Sequence, residues 1–228
     1  MSLLVPVRAD TLRSQVARIL RDAIFSGELK PGEPLRELAL ARQLDVSQAT
    51  VREALTDLEQ IGLVVKMPNK GTTVTNLSAT EVRERLAIRL VLEQMAAIEA
   101  AKRMQAPEFA ELEDLSAQIT AGIEQNAYFE VSQADAAFHR AIWRFSRNQT
   151  LERILDQVTT PLFAFLGLLH RIQGEDQRKT RPHLDLVAAL RTRRPAAIRE
   201  AFRNHIEGSY GALLNSNAED LLTLVENG

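Results

Sequence analysis

Four side chains in the second half of this sequence could together hold a metal ion: Asp135, His139, His183 and His205. Asp135 and His139 are spaced to share one helix face, in a stripe with Val131, Phe138 and Ile142 that points inward. His183 shares its stripe with Leu186, Val187 and Leu190, and His205 with Ile198, Ala201, Phe202 and Ala212. A carboxylate and three imidazoles on inward faces are costly to bury unless they meet one another or a cation. One Asp with three neutral His suits Zn²⁺, Ni²⁺ or Mn²⁺. Taken singly, each histidine is better explained as a core residue bonded to a carbonyl, and it is the coincidence of all four groups that favours a metal. His170 is an internal control. It falls roughly 100° off the apolar stripe of Leu155, Val158, Leu162, Phe165 and Leu169, which puts it outside the ligand set.

Two further ionisable residues, Arg89 and Glu93, face inward on the stripe of Leu86, Leu90, Ala97 and Ala100. An arginine inside a helical bundle wants a bidentate anion, so Arg89 either pairs with Glu93 or holds the carboxylate of a small effector that also reaches the metal. A different chemistry is suggested near the N-terminus, where Ser47, Gln48, Thr50 and Arg52 gather at the start of one helical pattern. Arg52 can grip guanine or a phosphate, Gln48 has the bidentate geometry for adenine, and the Ser47 and Thr50 hydroxyls can position a phosphate. Lys66, Asn69, Lys70 and Gly71 lie where a β-turn would bring them to the DNA backbone or minor groove. Arg36 either joins these contacts or simply solvates its helix.

The elements that must position these residues divide near residue 77. Helical patterns run from about Leu12 to Ser26, ended by Gly27, from about Arg36 to Leu44, and from Ser47 to about Ile61. Ser47 is a good N-cap, and Val51, Ala54, Leu55 and Leu58 form the inward stripe of the third helix. Leu63 to Lys66 and Thr72 to Asn76 read as short strands joined by the turn Met67-Pro68-Asn69-Lys70-Gly71. Three helices and a hairpin outline a winged helix-turn-helix, in which the N-terminal end of the third helix enters the major groove. From Ser78 onward the pattern is almost purely helical, at about 80–104, 108–125, 128–147, 149–172, 178–192 and 196–214, with a weaker tail at 218–225. Short breaks at Pro107, Asn148, Gly174 and Pro195 imply an antiparallel bundle. The expected fold is therefore mainly α, with a DNA-binding domain over 1–77 and an all-helical domain that binds metal and effector and dimerises over 78–228. The helix near residue 90 also carries Ile88, Val91, Met95 and Ile98 on a second face, which suggests burial against another subunit.

Bulk composition narrows the alternatives. The 228 residues include no cysteine, which excludes a disulfide framework, a thiolate zinc site and a catalytic thiol. No stretch approaches the roughly 20 apolar residues of a membrane span, and the N-terminus lacks the apolar core of a secretory signal, so a cytoplasmic protein is expected. A net charge of −2 argues against coating nucleic acid by charge alone but leaves a specific reader open.

The segment LKPGEPLRELALARQLDVSQATVREALTDLEQIGLVVKMPNKGTTV resembles the GntR-type regulators. The resemblance lies in its Pro-Gly turn, the Leu40-Ala41 pair, the Val-Ser lead-in to the third helix, Val-Arg-Glu-Ala-Leu, Gly-Leu-Val and the Gly-Thr of the wing. Members of that family commonly have Arg-Thr-Pro where this chain has Gln48-Ala49-Thr50, so a base contact made by that arginine is missing and the operator is expected to differ. From about Ser78 to Asn215 the chain resembles the FCD effector domain of the FadR-like branch, through IRLVLEQMAA, DAAFHRAI, RPHLDLVAAL and AFRNHI. That resemblance implies a divalent metal held by Asp135, His139, His183 and His205 with a small carboxylate beside it. The expected function is sequence-specific regulation of transcription, in which a homodimer on palindromic operator DNA changes affinity when a small organic acid binds. A metal-dependent hydrolase or lyase fused to a DNA-binding domain, and an architectural DNA-binding protein with a structural metal, are the alternatives. No general base or nucleophile motif accompanies the ligand set, which speaks against the enzyme.

Overall fold

Thr11 begins the first helix, its hydroxyl accepting the Ser14 amide, and Gly27 ends it in the left-handed conformation at φ 74°. The computed structural model describes residues 11–67, 71–173 and 183–215, without the side chains of 169–173 and 211–215. The expected tail at 218–225 and the first residues of the helix expected from 178 lie outside it, as do the side chains of His170 and Ala212 and the whole of Asn69 and Lys70.

The N-terminal part contains α1 (Leu12–Ser26), α2 (Glu37–Gln43) and α3 (Gln48–Gln60), with a sheet of β1 (Pro34–Leu35), β2 (Val64–Met67) and β3 (Gly71–Val74). The short β1 was not foreseen. It pairs antiparallel with β3, placing Leu35 opposite Thr72, so β3 is the central strand. The wing strands also reach one residue further into their turn than expected, because Met67 and Gly71 pair across it. Val51, Ala54, Leu55 and Leu58 are buried, as the spacing of α3 required, and meet Val16, Leu20 and Ile24 of α1.

The second part is a bundle of α4 (Ala79–Arg103), α5 (Ala106–Glu124), α6 (Tyr128–Phe145), α7 (Gln149–Gln173), α8 (His183–Thr192) and α9 (Pro195–Asn215). Ser78 and Glu81 form a reciprocal capping box that starts α4. Pro107 does not precede α5 but sits in its first turn, where the missing N–H has no partner to lose. α4 packs on α6, α7 and α9, α5 packs on α6 and α8, and α8 packs on α9.

Pro161 lies inside α7 and removes the amide that should bond the Gln157 carbonyl. Arg85 of α4 repairs the gap, its Nη1 donating to the Gln157 and Val158 carbonyl oxygens at 3.1 Å each. Gly62, just after α3, rests on the same turn at φ 75°, and a Cβ there would lie 2.7 Å from the Gln157 oxygen. The winged part is thus seated on α7, and the larger of two clusters of buried residues takes in both parts, the smaller one lying between α4, α7 and α9.

Candidate metal centre and DNA-reading helix

α6 presents Asp135 and His139 from one face, α8 presents His183 from its first residue, and α9 presents His205 from its middle. One ligating atom from each of the four lies within 4.8 Å of all the others. His183 Nε2 is 2.7 Å from Asp135 Oδ1, and His139 Nε2 is 3.6 Å from the same oxygen. The imidazole centroids are 4.6 to 5.7 Å apart. All three histidines are buried, and His139 Nε2 and His205 Nδ1 have no hydrogen-bond partner. Burial alone would raise the Asp135 carboxyl, but the His183 hydrogen bond and the neighbouring imidazoles hold it well below the usual carboxylate range. Burial, helped by His183 and His139, pushes His205 well below its ordinary value, so it is neutral. An ionised carboxylate, a neutral imidazole and orphaned buried nitrogens on convergent helices fit a divalent cation, and the all-nitrogen-and-oxygen donor set agrees with Zn²⁺, Ni²⁺ or Mn²⁺.

Arg89 and Glu93 stand behind this group. Glu93 Oε1 accepts the Trp143 indole N–H at 3.1 Å and faces His139 Nδ1 at 3.1 Å, while its Oε2 lies 3.3 Å from Arg89 Nε. Arg89 Nη1 donates to the Tyr210 hydroxyl at 2.9 Å. Arg89 lies in ion-pair range of Glu93, one of the two arrangements the sequence left open. Burial disfavours the Glu93 carboxylate, but Arg89 and His139 outweigh it and lower the group overall. Glu93 Oε1 lies beside Nδ1 of His139 without a well-aligned hydrogen bond, while Nε2 lies on the Asp135 side, the placement from which a carboxylate orients a metal-binding imidazole.

A narrow cavity of about 40 Å³ opens beside Asp135 and His183. Ile119, Ile123, Val131, Phe163 and Leu166 wall it, with Ser132 and Ser209 as polar groups, and neither Arg89 nor Glu93 lines it. Gly167 borders it where a Cβ would come 2.2 Å from Ser132 Oγ. On the His205 side a second, more open cleft of about 270 Å³ lies between α8 and α9.

At the N-terminal end of α3, Ser47 caps the helix by accepting the Thr50 amide at 3.1 Å, and its hydroxyl lies 2.8 Å from that of Thr50, both at the surface. Gln48 and Arg52 are exposed but engaged: Gln48 Nε2 donates to Glu37 at 2.9 Å, and Arg52 Nη2 to the same carboxylate at 2.7 Å. The Arg52 hydrogen bond is the main cause that lowers the Glu37 carboxyl. Arg36 is the exposed N-cap of α2 without a side-chain capping bond, Lys66 is exposed on β2, and Gly71 begins β3 at φ 85° in open space.

The sequence reading missed Glu37, Trp143, Tyr210, Ser132 and Ser209. Helical spacing held a signal for two of them, since Trp143 follows His139 and Ser209 follows His205 by one turn. Glu37 and Tyr210 reach their partners only through tertiary packing.

Residues 84–208 match the FCD domain, and residues 12–74 match the family described as bacterial regulatory proteins, gntR family. The HTH-type transcriptional regulator YdhC of Bacillus subtilis is 29% identical over 92% of this chain and 90% of its own length. The HTH-type transcriptional repressor RspR of Escherichia coli is 28% identical, with 86% of each chain covered. Among solved structures, E. coli McbR/YncC superposes with a TM-score of 0.77 at 25% identity, over 90% of this chain and 97% of that one. These relatives are regulators of transcription and not enzymes, and the chain belongs to the GntR family, carrying its helix-turn-helix followed by an FCD domain.

Proposed function

We propose that this regulator senses a small carboxylate at a metal centre formed by Asp135, His139, His183 and His205 and changes its operator affinity in response. The observation that carries the reading is the convergence of four ligating atoms within 4.8 Å beside a walled cavity. A bound divalent cation supplies positive charge for an effector carboxylate. Ser132 and Ser209 offer that effector hydrogen bonds, and Ile119, Ile123 and Leu166 exclude water around it. In this reading Arg89 and Glu93 act through His139 instead of touching the effector, because neither lines the cavity and they lie against each other, Trp143 and Tyr210.

Residues 1–77 form the DNA-reading part in this reading and 78–228 the sensing part. Arg52 and Gln48 read base edges, Ser47, Thr50 and Arg36 meet phosphates, and Lys66, Asn69, Lys70 and Gly71 form the wing contact. A homodimer on a palindromic site fits the apolar stripe of Ile88, Val91 and Met95, which α4 leaves exposed; Ile98, expected on that stripe, is instead packed against the core. No described helix is long and apolar enough to cross a membrane. Coupling between the two sites is expected at about 1 to 3 kcal/mol.

The test is metal analysis of the purified protein, followed by calorimetry of a panel of small carboxylates against wild type and a His139→Ala/His183→Ala double variant. Loss of both metal and carboxylate binding in the variant supports the sensor. Carboxylate binding that persists without metal overturns it, and metal binding with no carboxylate response leaves the architectural regulator as the reading.

A further inference from the structure

The ligand cavity accounts for Asp135 and His183, but His205 borders a different space. The cleft of about 270 Å³ between α8 and α9 is lined by Asp185, Leu186, Ala197, Glu200, Asn204 and His205, with Ala201 between them. On α9 these residues recur at helical spacing, so Ala197, Glu200, Ala201, Asn204 and His205 make one face. The two alanines keep that face low and the cleft open. Its lip is acidic. Asp185 and Glu200 are both exposed, while Arg199 and Arg203 of the same helix do not line the cleft. Its floor is His205, which is only 4% exposed and whose Nδ1 has no hydrogen-bond partner.

An acidic residue in the first turn of α8 also suits the helix dipole, which covers Asp185. It does not cover Glu200, which stands well inside α9. Two carboxylates at the mouth, Asn204 along the wall, and a buried imidazole with an unpartnered Nδ1 at the bottom form a series of donors for a hard or borderline cation. Each step exchanges hydration for a protein ligand. The cavity beside Asp135 and His183 has mainly apolar walls and no charged residue at it apart from those two ligands.

We propose that the α8–α9 cleft is the route by which the divalent cation reaches and leaves the centre, with Asp185 and Glu200 as its capture residues and His205 as the first ligand met. The inference rests on the metal reading above but is separable from it. Its consequence is that metal loading and effector binding use different cavities, with no lining residue in common, so a bound effector does not block loading.

The experiment follows Co²⁺ uptake by the chelator-treated full-length protein, read as the growth of ligand-field absorbance in stopped flow. Wild type is compared with Asp185→Asn/Glu200→Gln and, separately, with Ala197→Trp, which narrows the mouth. The charge variant is expected to load on the order of tenfold more slowly at low ionic strength, with the difference fading as salt is added and the final spectrum unchanged. Ala197→Trp is expected to slow uptake and release alike at every salt concentration. Equal rates in all three proteins, or a changed final spectrum in the charge variant, overturn the route and leave the centre standing. Absence of any ligand-field spectrum in wild type overturns both.

Discussion

Glu93 carries three partners on one carboxylate, and this makes its removal informative. Glu93→Gln leaves Arg89 as a buried charge without its counter-ion, an arrangement that costs about 3 to 5 kcal/mol. It also loosens the orientation of His139, which is expected to weaken metal binding by roughly 10- to 100-fold. The two effects separate in the double variant Arg89→Met/Glu93→Gln, in which thermal stability is expected to return while metal affinity stays low; titration with Zn²⁺ and a melting curve check both. Recovery of metal affinity together with stability removes the orienting role. On the DNA side, Glu37 neutralises Arg52 and occupies Gln48. Glu37→Gln is therefore expected to raise affinity for DNA of any sequence and steepen the salt dependence by about one phosphate contact, read by fluorescence anisotropy across a salt series. An unchanged slope contradicts it. Inward Asp135, His139, His183 and His205 were legible because helical period alone fixes which residues share a face. Glu37 was not, because nothing in a linear pattern says that the first turn of α2 lies against the first turn of α3.

At the scale of the elements, the junction of α3 with α7 gives a sharp comparison. Gly62 and Gly71 both have positive φ, 75° and 85°, but only Gly62 has a neighbour where a Cβ would go. Gly71→Ala is expected to cost about 1 kcal/mol, the backbone strain alone. Gly62→Ala adds a collision with the Gln157 carbonyl and Pro161, so about 2 kcal/mol or more is expected, measured as the difference in denaturant midpoint between the two variants. Equal losses dismiss the contact with α7. The helices themselves were readable to within a few residues, since caps at Thr11, Ser47 and Ser78 and the break at Pro195 are local chemistry. Pro161 was passed over for the opposite reason. A proline inside a helix is normally a stop, and only Arg85, seventy-odd residues earlier in the chain, makes the gap tolerable.

For the whole molecule, the sequence divides near residue 77, whereas the larger cluster of buried residues crosses that boundary from α1 and α3 into α4, α6 and α7. Length and periodicity cannot distinguish these cases, because both parts have apolar faces and only docking decides whether they meet. Cooperative unfolding in a single transition is expected, and the transition should shift with metal: an ion at a hundred times its dissociation constant contributes about 2.7 kcal/mol, so chelator treatment should lower the melting temperature by several degrees. A melting curve indifferent to chelator contradicts the centre.

The ligating residues come from α6 on one side of α7 in the chain and from α8 and α9 on the other. Any ion held there therefore ties together stretches of polypeptide separated by a long loop, restricting the unfolded chain in the manner of a cross-link. In a protein with no cysteine, that tie is made and undone by ion supply instead of by oxidation. Removal of a bound ion is then expected to release that tie and speed digestion of the folded chain by an added protease.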